Sequence, residues 1–154
     1  MGKGRAKSIL LEILYIILIF SFMGIIGSVV FAIYKIISDF QVKSFIYSGF
    51  VVVSMYIWFM IIKYLTEIVE TTYYSPFVRE NVTRLKKMGY YLIANVIFEW
   101  ITRLIQYIIG PLTDGYTFEG NPTFTYFILA LLCFVVAEVF NKAIKIKEEN
   151  DWTI

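Results

Sequence analysis

Four long apolar stretches, separated by short polar breaks, set the rhythm of this chain and predict an all-α protein. Runs of about 20 apolar residues match the thickness of a bilayer core, so each stretch is a candidate membrane-spanning helix. The first covers 9–33 and holds one charge, Glu12. The second covers 45–66 and stays free of charge until Lys63, which stands one helical turn before Glu67 and can pair with it. The third covers 89–109 and the fourth 124–143, with a tail over 144–154. The first run follows Lys3, Arg5 and Lys7 as a secretory signal would. It exceeds the ~7–15 residues of a signal core and lacks a small-x-small cleavage site, so it reads as a span. The expected architecture is one four-span domain over 1–154, an integral membrane four-helix bundle.

The polar stretch over 75–89, SPFVRENVTRLKKMG, is the longest interruption of this rhythm. Ser75 stands where an N-cap belongs, Pro76 can open a helix, and Glu80 falls in the first turn. Arg84, Lys86 and Lys87 close the helix before Gly89. Val78, Val82 and Leu85 recur at helical spacing, which predicts a short amphipathic helix lying along the membrane surface between spans two and three. A solvated linker is the plainer alternative.

The third stretch differs from the others in carrying Asn95, Glu99, Arg103 and Gln106. Spacings of four, four and three put them on one face, with Glu99 N-terminal to Arg103, the favourable order for an ion pair. A lone charge at mid-bilayer costs about 2.5–3.5 kcal/mol on insertion scales, so this face is expected to turn into the bundle as a paired polar site. Two readings stand side by side: polar glue between helices, or a pocket that binds or senses a ligand.

Composition removes most chemistries. The chain is 59% hydrophobic and 19% aromatic, well above the ~45–50% apolar usage of soluble domains. There is no histidine and only one cysteine, Cys133, inside an apolar run. Serine-histidine and cysteine-histidine catalysis, imidazole metal sites and internal disulfides are therefore excluded, and the chain is expected to be a non-enzyme without cofactor or metal. The same lack of histidines excludes intramembrane metalloprotease chemistry, although Glu99 and Arg103 stand at a glutamate-arginine spacing. A net charge of +2 without a basic stripe gives no direct nucleic-acid surface. Gly24, Gly27 and Ser28 permit close helix approach, within the bundle or between copies in a homo-oligomer.

Basic residues set the expected orientation. Lys3, Arg5, Lys7, Lys63, Arg79, Arg84, Lys86, Lys87, Lys142, Lys145 and Lys147 fall on one side, and only Lys35 and Lys43 on the other. Both termini and the 75–89 segment are thus expected in the cytoplasm, and the acidic turn-rich loop with Asp114 and Glu119 outside.

Ser75, Pro76, Phe77, Asn81, Arg84, Leu85 and Gly89, together with Ala137, Phe140 and the ending Glu148, Glu149, Asp151, Thr153 and Ile154, resemble the bacterial membrane proteins catalogued as domain of unknown function 2975. Trp152 stands where that family usually has leucine, and Ala143 where glycine is common. The resemblance implies a multi-pass protein of the bacterial cytoplasmic membrane with no assigned activity. Its members are often encoded beside a small helix-turn-helix DNA-binding protein, which implies a transcription regulator as partner. Ser75, Pro76, Phe77, Asn81, Arg84, Glu148, Glu149, Asp151, Trp152 and Ile154 are then the expected docking residues, Trp152 and Ile154 as apolar anchors. The tail can equally fold back, its acids meeting Arg79, Arg84 and Lys87. A small transporter, resistance or immunity protein using the Glu99 and Arg103 site is the competing function.

Overall fold

The computed structural model describes residues 3–38, 42–72, 74–110 and 122–151. They form four helices: α1 (Lys3–Ser38), α2 (Val42–Thr71), α3 (Arg79–Ile109) and α4 (Pro122–Asp151). The four apolar stretches each fall inside one of them. At 30 to 36 residues the helices rise roughly 45–54 Å, so each is longer than a bilayer core is thick. Three are also apolar enough to cross a membrane: α1 from Lys7, α2, and α4 from Thr123 to Asn150. α3 has the length but is diluted by its charged first turns and by Asn95, Glu99 and Arg103.

One element departs from the expectation. The amphipathic stretch does not form a helix of its own, because α3 starts at Arg79 and runs unbroken through Gly89 to Ile109. Ser75 is not the cap: its amide donates to the Thr71 carbonyl, which makes it part of the winding-down of α2. Val78 takes the cap position in an extended conformation, without a side-chain cap bond. Gly89 does not end the helix either. It does end at Gly110, whose φ of 88° suits a residue without a Cβ and whose amide donates to the Gln106 carbonyl.

The helix backbones pack in chain order: α1 on α2, α2 on α3 and α3 on α4. The core lies among the last three helices. Ile57 and Ile61 of α2 meet Met88 and Leu92 of α3 and Ala130 of α4 in one buried cluster. Val82 and Leu85 meet Ala137 and Ile144 in a second. α1 buries little beyond Leu14 and Ser28, and shows Ile19, Phe20 and Met23 to the surroundings. An apolar surface of this extent is not tolerated in water and suits contact with lipid.

Two side-chain contacts mark one end of the helices. Lys7 Nζ donates to the Thr72 carbonyl at 3.5 Å, and Arg79 pairs with Glu148. The start of α1, the α2–α3 turn and the end of α4 therefore lie together. Lys43 and Gly110 lie together at the other end, the lysine Nζ 3.8 Å from where a Cβ on the glycine would be.

Candidate functional site

At the end where α2 turns into α3, sequence-predicted residues assemble around Arg84. Its Nε donates to Glu67 Oε2 at 3.0 Å, and its Nη1 donates to Thr71 Oγ1 at 2.6 Å and to Asn81 Oδ1 at 3.0 Å. Asn81 is fully buried and uses the other half of its amide, Nδ2, to donate to the Pro76 carbonyl at 3.1 Å. The turn is thereby stitched to both helices it joins. A buried amide leaves no group unpaired only if both halves are used, and here both are.

The tail reaches this end through Glu148. Glu148 accepts two hydrogen bonds from Arg79 Nη2, at 2.9 and 3.0 Å. The Phe77 and Phe140 rings, from the turn and from α4, meet edge-on at 5.3 Å. Among the described contacts the tail meets Arg79, and no contact with Arg84 or Lys87 is among them. Arg84 is taken by Glu67, Thr71 and Asn81, and Lys87 Nζ lies over the Tyr64 ring, 5.4 Å from its centre. Trp152 and Ile154 lie outside the described residues, and so does the side chain of Asp151. Lys63 and Glu67, expected to pair, stand 4.0 Å apart, with Glu67 shared between Lys63 and Arg84.

Gly89 is explained by its neighbour. A Cβ there would lie 2.8 Å from Phe134 Cζ, so α4 can set an aromatic ring directly on the α3 backbone. Phe134 in turn packs edge-on against Tyr90 at 5.2 Å.

Farther along α3, all four predicted polar residues, Asn95, Glu99, Arg103 and Gln106, line one cavity of about 290 Å³ between α2 and α3. Arg103 Nη2 donates to Glu99 Oε1 at 2.7 Å, the intrahelical pair that the spacing requires. The opposing wall is aromatic. Phe50 meets Phe98 edge-on at 4.9 Å, and Trp58 meets Tyr126 of α4 at 5.6 Å. These wall residues are missed by a search for charges. Tyr47, Val51, Ser54 and Trp58 nevertheless recur at helical spacing along α2, the one signal that could have found them.

A second, wider groove of about 730 Å³ opens between α3 and α4, lined by Trp100, Leu104, Phe124 and Phe127. Arg103 borders both spaces. Among the described residues no group of three or more cysteine or acidic side chains could hold a metal ion.

The model of the family described as a protein of unknown function, domain of unknown function 2975, matches residues 13–154. No curated protein matches the chain, and no solved structure does.

Proposed function

The chain belongs to the family of domain of unknown function 2975, and from that premise we propose that it is a non-enzymatic regulatory protein of the bacterial cytoplasmic membrane. In this reading all four helices cross the bilayer, with both termini and the α2–α3 turn in the cytosol. That end holds a small soluble helix-turn-helix transcription regulator.

The observation that carries the reading is the convergence of the family-like residues on one end of the molecule. Phe77, Asn81, Arg84 and Gly89 come from the α2–α3 turn and early α3; Ala137, Phe140 and Glu148 come from late α4. Helix insertion alone does not require this. Segments 69 residues apart are drawn together there by Arg79 and Glu148, next to Tyr74, which is 94% exposed, and half-exposed Phe77. Exposed aromatics beside arginine are the usual anchors of a protein interface. An even number of crossings is supported by the contact of Lys7 with Thr72 and by the basic residues gathered at the same end.

The test is co-purification. Tagged full-length chain, extracted from native membranes, is expected to bring down a helix-turn-helix regulator. Removing 147–154, or combining Tyr74→Ala with Phe77→Ala, is expected to lower its recovery at unchanged membrane level. Undiminished recovery in both variants overturns the docking.

One observation favours the competing transporter, resistance or immunity reading, namely the cavity that holds the Glu99 and Arg103 pair. It predicts that Glu99→Gln abolishes export of a toxic compound, or tolerance of a membrane-active peptide, in cells that depend on this protein.

A further inference from the structure

Arg103 stands between two spaces of opposite character. On its α2 side is the smaller cavity, with Glu99, Asn95 and a wall of aromatic rings. On its α4 side is the larger groove, almost wholly apolar. The geometry points to one site spanning both, built for a zwitterionic amphiphile of the aminophospholipid type. The ammonium group of the ligand meets Glu99 and the rings, its phosphate meets Arg103, and an acyl chain lies in the α3–α4 groove.

Charge decides the ligand class. Glu99 and Arg103 are 2.7 Å apart and together neutral. In a low-dielectric setting a ligand of net charge would leave that charge without a counterpart, which weakens its binding. A zwitterion adds one charge of each sign and so leaves the balance of charge at the site as it was. Aromatic faces carry negative potential, which favours the ammonium end on the side of Trp58 and Tyr126. The guanidinium is a planar fork of N–H donors matched to phosphate oxygens, which places the phosphate at Arg103.

Depth agrees with this assignment. Arg103 lies six residues before Ile109, the last residue of α3, roughly 9 Å along the axis. That is within reach of the headgroup level of the leaflet opposite the α2–α3 turn. The two volumes are near those of ligand pockets, about 300–1,000 Å³. The site is at the far end of α3 from the proposed regulator contact, and it rests only on α3 crossing the bilayer. Its failure therefore leaves the co-purification result untouched.

The two spaces carry their own reporters, Trp58 in the cavity and Trp100 in the groove. The full chain with Trp152→Phe keeps Trp58 and Trp100, one beside each space, as its only tryptophans. Titrated in detergent with phosphatidylethanolamine brominated on its acyl chain, it is expected to show saturable quenching. Brominated phosphatidylglycerol, which is anionic, is expected to bind about tenfold more weakly, the scale of one charge-assisted hydrogen bond. Glu99→Gln and Arg103→Met should each weaken the lipid by a similar factor, with helix content and melting checked by circular dichroism. Competition by unbrominated lipid on the parent chain needs no charge variant and so stays informative if either fails to fold. Free phosphoethanolamine separates a lipid from a soluble headgroup; it is expected to compete only weakly. Equal binding of the two lipids, equal competition by the free headgroup, or folded charge variants that bind like the parent would each overturn the site.

Discussion

A Cβ on Gly89 would meet three atoms of the Phe134 ring between 2.8 and 3.1 Å. Replacing this glycine by alanine sets two effects against each other. Alanine favours a helix interior by about 1 kcal/mol, while forcing a methyl group under a seated ring costs about 1–3 kcal/mol. Gly89→Ala alone is expected to lower thermal stability. In a Phe134→Leu background the collision is gone, and the same change is expected to raise it. A stabilising Gly89→Ala in the parent chain would show that the ring is not seated there. Asn81 poses a different problem, since it is buried and bonded on both sides of its amide. Asn81→Ala strands the Pro76 carbonyl and part of Arg84, with an expected loss of about 1–3 kcal/mol in unfolding measurements. Asn81→Asp keeps the acceptor facing Arg84 but turns a second acceptor on the Pro76 carbonyl, so it is expected to lose at least as much.

Among the elements, α3 is where sequence and structure part company. The four apolar stretches were legible because membrane thickness imposes a length that no soluble helix needs, and the 95–106 face was legible because helical spacing alone brings its members together. Helix breaks are a weaker code. Ser75, Pro76 and Gly89 are all residues that end or begin helices, yet only the region before Arg79 does so. Gly89 stays helical because it is read by Phe134 of another helix, a contact no local rule contains. Partner choice was equally hidden. Arg84 had acids available in both α2 and the tail, and packing gave it Glu67. Another tie between elements, Arg79 to Glu148, joins one guanidinium nitrogen to both carboxylate oxygens but is exposed on both sides. Its expected worth is therefore only about 0.2–1 kcal/mol. Arg79→Glu should barely move the melting temperature while loosening the end of α4, seen as faster amide exchange around 145–150. Adding Glu148→Arg should restore protection. Unchanged exchange in the single variant would mean that the apolar packing of Ile144 and Phe140 holds the helix by itself.

For the whole molecule the decisive quantity is the number of crossings. With three, the two termini would be separated by the membrane; with four they share a side. A version lacking its cysteine through Cys133→Ser, carrying Asp114→Cys or Tyr74→Cys, separates the cases, because these positions flank α3, the helix in question. With four crossings an impermeant maleimide is expected to label Asp114→Cys on intact cells, and Tyr74→Cys only after the cells are broken; with α3 not crossing, both would fall on one side. Labelling of Tyr74→Cys from outside would refute the cytosolic turn. The packing of each helix on its neighbour in chain order also has a consequence for biogenesis. As every new helix leaves the ribosome, the backbone it must lie against has already been delivered to the bilayer. Stacking of the helix backbones can thus keep pace with translation, while Ile57 and Ile61 of α2 complete their cluster only once Ala130 of α4 arrives, and the short range of the backbone pairings favours rapid maturation.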